Sequence, residues 1–143
     1  MTALFRNKVI PFLWNWEGTT FENDPDDPGG ATKYGIDQRS HPHVDIRNLT
    51  ENEAINIYWG EWVNDGCEHL PSPIDWLFFD SCVNCGIGRA SAFLKDSNRD
   101  PKKFQDERRG FYNRLAQAKP HLGKFLKGWL ARVDDLSKQV GLV

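Results

Sequence analysis

The chain has 143 residues, 39% of them hydrophobic, enough for one domain that buries about two-thirds of the surface its unfolded form exposes. A formal net charge of −2 supplies no basic field for a polyanion, so nucleic acid is not an expected partner. No window approaches the roughly 20 apolar residues of a membrane span, and the opening MTALFRNKVIPFLWNWEG carries no long apolar run or small-residue cleavage site, so neither membrane insertion nor a secretory leader is expected.

Phe5, Val9, Phe12, Leu13 and Trp16 recur at helical spacing, which predicts an amphipathic helix over about 4 to 17, stopped by Gly18. Pro11 conflicts with that pattern. A proline removes one backbone bond and clashes with the preceding turn, so a kink or a later helix start is expected. From Trp16 to Ile36 the run WEGTTFENDPDDPGGATKYGI holds five acidic residues, two prolines and four glycines. Such density forbids a long helix and predicts short extended pieces and turns, with a small hairpin as the only β structure. NLTENEAINIYWGEW then places Thr50 and Glu53 at capping-box spacing ahead of an apolar stripe of Ala54, Ile55, Tyr58, Trp59 and Trp62.

SPIDWLFFDSCVNCG predicts a further helix with Ser72 as its cap, Pro73 at its first position and Gly86 as its stop. It is apolar nearly all round, as a buried central helix is. A short helix over about 88 to 95 follows, then one opened by Asp100 and Pro101 and running toward Lys119, and a last one carrying Leu122, Leu126, Trp129, Leu130, Val133, Leu136 and Val140. The expected class is α+β, predominantly helical, with a small hairpin or loop lobe after the first helix. No repeat, linker or low-complexity tract interrupts it.

The acidic run is by default a solvated loop, because Asp, Gly and Pro are what turns use. It does not make a calcium loop. Counting from Asp24 as the first ligand, Pro28 falls on the fifth position and Gly35 on the twelfth, where a bidentate Glu is required. Glu17 stands out at the end of the first helix, between Trp14 and Trp16 and one turn from Leu13. Aromatic surroundings disfavour a carboxylate anion, the setting a general acid needs at neutral pH, whereas the turn-rich surroundings of Asp24, Asp26 and Asp27 suit ionised carboxylates. Two carboxyls in contrasting environments are the working pair of a glycosidase.

These residues carry a resemblance. WEG at the helix end, NDPDDPGGAT and YGI resemble the catalytic region of family 108 of the glycoside hydrolases, the N-acetylmuramidases found in phage endolysins. The similarity continues through LTENEAINIYWGEWV, FFDSCVNCGIGRA and FLKGWLARVDDL, so it spans most of the chain. It implies a lysozyme-like fold over 1–143 as a single catalytic domain, and cleavage of the β-1,4 bond between N-acetylmuramic acid and N-acetylglucosamine in bacterial peptidoglycan. It further implies Glu17 as the catalytic acid. Glu17, Asp26 and Thr32 also match the Glu-x8-Asp-x5-Thr spacing of phage-type lysozymes, which use the Asp and Thr to hold the attacking water. EGTTFENDP is one residue longer than the family's usual EGGYxNDP, which leaves Asp27 in competition with Asp26 for the second role. The region after the VNxG-type helix, about 87–143, resembles a shortened form of the family's peptidoglycan-binding region.

The remaining assignments follow. Asp24, Asp27, Tyr34 and Asn84 are the candidate substrate contacts, Tyr34 as a sugar-stacking ring and Asn84 as a partner for a sugar amide. The three cysteines, Cys67, Cys82 and Cys85, are too few for a disulfide framework and suit a reducing compartment. They read as small core residues rather than metal ligands, so no metal and no cofactor is expected. Arg89, Lys95, Arg108 and Arg109 read as solvated faces. The expected protein is a monomeric endolysin of inverting mechanism, held in the host cytoplasm until a holin or another route releases it to the wall. A lytic transglycosylase, or an inactive wall-binding or secretion-accessory protein of the same fold, is the alternative.

Overall fold

The N-terminal amphipathic pattern folds as one helical run in two parts in the computed structural model, which describes residues 1–143. A π-helical segment, Phe5–Val9, leads into α1 (Ile10–Glu17), with Pro11 in the first turn of α1. The wider π turn is how the chain absorbs the conflict at Pro11. At that turn the Ile10 amide bonds back to the Phe5 carbonyl, a wider spacing than the α-helix uses, so the run continues through a proline that would break a regular one. Gly18, at φ 78°, ends α1. Such a φ strains any residue with a Cβ.

The expected hairpin forms over very few residues. β1 (Thr32–Lys33) and β2 (Ile36–Asp37) pair antiparallel, Thr32 opposite Asp37 and Lys33 opposite Ile36. Their two-residue connection, Tyr34 and Gly35, has φ of 55° and 77°. Positive φ at both central positions marks a type I′ turn, whose twist matches that of paired strands. α2 (Glu51–Asn64) begins with the reciprocal cap read from sequence. The Thr50 amide donates to Glu53 Oε1 at 3.0 Å and the Glu53 amide to Thr50 Oγ1 at 3.2 Å. The chain divides into two compact units, and these elements make up the first, Met1–Asn64. Its buried residues include Phe5, Val9, Leu13, Ile36, Ile46, Tyr58 and Trp62. Phe5 meets Trp59 and Trp62 edge-on, with centroids 5.0 and 5.4 Å away.

The second unit, Asp65–Val143, is helical. A single 3₁₀ turn, Cys67–His69, precedes α3 (Ile74–Cys85), which starts one residue later than Pro73 at its first position would give, so Pro73 rather than Ser72 is the cap residue. Every residue from Ile74 to Ser81 is buried, as the all-round apolarity predicts. α4 (Ile87–Asp96) and α5 (Pro101–Ala118) pack against α3. Asp100 caps α5 by accepting the Lys103 amide at 2.9 Å. A 3₁₀ segment, Pro120–Phe125, then turns into α6 (Leu126–Gln139), which lies on α5. The chain is thus α+β and predominantly helical. No helix is long and apolar enough to cross a membrane.

One expectation fails here. Arg108 is wholly buried rather than solvated. Its guanidinium donates to Asp80 Oδ2 at 2.8 Å, and Arg132 donates to Asp80 Oδ1 at 2.8 Å and to Oδ2 at 3.1 Å. Asp80 is itself 0% exposed. Burial by itself would raise the carboxyl of Asp80, but the guanidinium of Arg132 and then that of Arg108 outweigh it and hold the group below its ordinary value. Neither Asp80 inside an apolar helix nor Arg108 inside a charged one stands out locally, because a long-range pair leaves no periodic signal.

Candidate active site

Glu17 is the last residue of α1 and is half-buried. Its stem is pressed by the hairpin turn. A Cβ placed on Gly35 would lie 2.8 Å from Glu17 Cβ, 2.9 Å from Glu17 Cγ and 2.7 Å from the Tyr58 hydroxyl. Glycine is therefore required at 35 twice over, for the positive φ and for the space. The turn is tied from behind, since the Tyr58 hydroxyl donates to the Tyr34 carbonyl at 2.8 Å. Trp14 packs on the same turn. Its ring lies 4.9 Å from that of Tyr34 and 5.9 Å from that of Tyr58, and its indole N–H donates to Glu51 Oε1 at 3.3 Å. The half-buried Tyr34 is thus one face of an aromatic group around the helix end that carries Glu17.

Thr32 sits in the same hairpin, on β1. Its amide donates to the Glu22 carbonyl and its carbonyl accepts the Glu22 amide, each at 2.8 Å, so Glu22 adds an isolated bridge beside β1. Directly paired residues of antiparallel strands point to the same side. Glu22, Thr32 and Asp37 therefore form a row, a hydroxyl between two carboxylates. The Ile36 and Lys33 pair points to the other side, where Ile36 is buried. Glu22 and Asp37 were missed in the sequence. A two-residue turn centred on Tyr34 and Gly35 would have revealed the pairing of Thr32 with Asp37.

The three aspartates of the acidic run are exposed and differ in what they do. Asp24 Oδ1 accepts the Asp26 amide at 2.9 Å and Asp27 Oδ1 accepts the Gly29 amide at 2.8 Å, two consecutive Asx turns. Gly29 is also crowded. A Cβ there would lie 3.3 Å from Asp27 Oδ1 and 3.2 Å from Asp37 Oδ2. Asp37 Oδ2 in turn accepts the amide and the hydroxyl of Ser40, each at 3.2 Å. Asp24 and Asp27 thus shape the loop, while the Asp26 carboxylate takes no part in its turns.

Asn84 belongs to the second unit, in the last turn of α3. Its carboxamide oxygen accepts from the Tyr112 hydroxyl and, at 3.5 Å, from Arg108. Cys67 is buried and its thiol is pushed up to about 12, chiefly by that burial, so it stays protonated. Cys82 and Cys85 depart from the core reading, both being only partly buried, and Cys85 Sγ lies 3.2 Å from the Tyr112 hydroxyl.

The close approach at Gly35 makes a sharp expectation. Gly35→Ala should force the turn away from Glu17 and Tyr58, costing about 1–3 kcal/mol of stability through overpacking and strain. If Glu17 is a reacting group, activity should fall about 100-fold, because an ångström of misplacement there costs that much. Wild-type turnover in a folded Gly35→Ala protein would show that the contact with Glu17 is idle.

The family model Glycosyl hydrolase 108 matches residues 10–86, a stretch that holds Glu17, the acidic run, the hairpin and Asn84. Among solved structures, the structure of Brucella abortus SagA superposes with a TM-score of 0.76 at 22% identity, covering 96% of this chain and 94% of that one. The fold is lysozyme-like. No curated protein matches.

Proposed function

The chain belongs to glycosyl hydrolase family 108, peptidoglycan-hydrolysing glycosidases, and from that premise we propose that it is a muramidase cutting the β-1,4 bond between N-acetylmuramic acid and N-acetylglucosamine. Glu17 gives its proton to the leaving oxygen, Asp26 acts as base and Thr32 positions the attacking water. The observation that carries this reading is the seating of Glu17 against Gly35 of the very hairpin whose first strand bears Thr32. Acid and water-holding hydroxyl are thereby built on one rigid pair of elements, as preorganised catalysis demands. The two Asx turns favour Asp26 over Asp27. Asp27 spends an oxygen on Gly29, and Asp26 keeps both for a proton. Tyr34 offers a ring to the sugar, and Asp24 and Asp27 hold the loop that meets it. The biological setting that fits is a phage endolysin acting on the wall after release from the host cytoplasm.

Digestion of purified peptidoglycan tests this. A muramidase leaves a reducing muramic acid end, a lytic transglycosylase leaves a 1,6-anhydro end, and an inactive binder leaves the polymer intact. If Asp26 activates a water on the far side of the ring, the Glu17 and Asp26 carboxyls stand about 6.5–9.5 Å apart in the working complex and the product is inverted. Proton NMR of the first-formed anomer should then show α. An initial β-anomer would refute the water-activating roles of Asp26 and Thr32.

A further inference from the structure

A cavity of about 260 Å³ opens inside the second unit, beside the C-terminal end of α3. One wall is aromatic. The rings of Tyr112 and Trp129 stack with centroids 5.2 Å apart and planes at 22°, and Phe111 lies 5.5 Å from Tyr112. The charged groups that line it are both cations, Arg89 and Lys119, with no Asp or Glu among the lining residues. The Arg89 guanidinium lies 4.9 Å from the centre of the Phe111 ring and forms no ion pair. A guanidinium stacked on a ring keeps its in-plane N–H donors available, and these match a carboxylate. Cys85 also lines the cavity.

Apolar rings with two cations uncompensated by any lining acid make a site that attracts an anion with an apolar body. The volume is below the roughly 300–1,000 Å³ of pockets for drug-sized molecules, so the guest is no larger than one ring or one amino-acid residue. Phosphate or sulfate would leave the aromatic wall unused, and a neutral sugar would leave both cations unused. We propose that this cavity is a binding site for a carboxylate-bearing group of amino-acid size, its apolar part against Trp129 and Tyr112 and its carboxylate held by Arg89 and Lys119. None of these residues takes part in the chemistry assigned to Glu17, Asp26 and Thr32. The site therefore stands whether or not the chain is a muramidase.

The natural readouts are Trp129, whose indole N–H gives its own NMR signal, and Cys85, whose alkylation by iodoacetamide can be located by peptide mass mapping. N-acetylphenylalanine added to the full-length protein should shift the Trp129 signal and protect Cys85, while the neutral N-acetylphenylalanine amide should bind at least about tenfold more weakly, the scale of one charge-assisted contact. Arg89→Gln with Lys119→Gln should abolish that preference at an unchanged melting temperature, since both residues are exposed. Muropeptides cut from purified peptidoglycan serve as competitors. Displacement of the probe assigns the site to wall peptides, and persistence of a carboxylate-specific probe assigns it to a soluble acid. Equal binding of acid and amide, or no protection of Cys85 by either, overturns the proposal.

Discussion

Glu17→Gln should lower turnover of purified peptidoglycan by about 100-fold to 10,000-fold, the range that a general acid contributes. Glutamine preserves the length of the side chain and its packing against Gly35, so the turn and the Tyr58 hydrogen bond to the Tyr34 carbonyl remain. What disappears, on the proposed mechanism, is the proton given to the leaving oxygen. The melting temperature should therefore stay within a degree or two while the rate collapses, a separation that a purely structural role for Glu17 could not produce. Turnover of Glu17→Gln near the wild-type rate would remove the general acid and with it the muramidase mechanism.

Asp80→Asn should be the most damaging substitution to stability. It leaves Arg108 and Arg132 facing each other in the interior without a counter-charge, and breaking a buried pair in this way costs about 3–5 kcal/mol. For a whole protein stable by about 5–15 kcal/mol that is a large fraction, corresponding to a fall in melting temperature of about 10 °C or more. Arg132→Met should cost less, because Arg108 still pairs with Asp80. The same group sets an acid limit. The folded-state pKa of Asp80 lies below its unfolded value, so its stabilisation is fully present above the unfolded value of about 3.9 and is lost as pH falls through the depressed folded one. Thermal melts taken from about pH 5 down to about pH 2 should therefore show, below about pH 4, a steeper loss of stability in the wild type than in Asp80→Asn. Parallel acid profiles for the two proteins would deny Asp80 this role.

How much of this was legible depended on the range of the interaction involved. The capping box at Thr50 and Glu53, the Asp100 cap with Pro101 after it, and the glycine stops at 18 and 86 are local chemistry, decided by residues a few positions apart. All are found where the spacing put them. The buried character of α3 was equally readable, because an element without a polar face must be covered on every side. The Pro11 conflict was also visible, and the π turn ahead of α1 resolves it.

By itself, then, the sequence determined the helices, the caps at Thr50 and Asp100, the acidic loop and, through an ordered series of motifs, the family. Tertiary structure alone decided which side chains meet. It set the packing of Gly35 onto Glu17, the row of Glu22, Thr32 and Asp37, the two Asx turns that separate Asp26 from Asp24 and Asp27, and the burial of Arg108 beside Asp80. The physical reason is one of distance along the chain. Caps and amphipathic stripes are settled within a turn or two, where backbone geometry dictates who is neighbour to whom. Arg108 and Asp80 lie on different helices, and Gly35 reaches Glu17 only once a type I′ turn has folded the strand back. Such contacts exist only after the elements have packed, and no local pattern announces them.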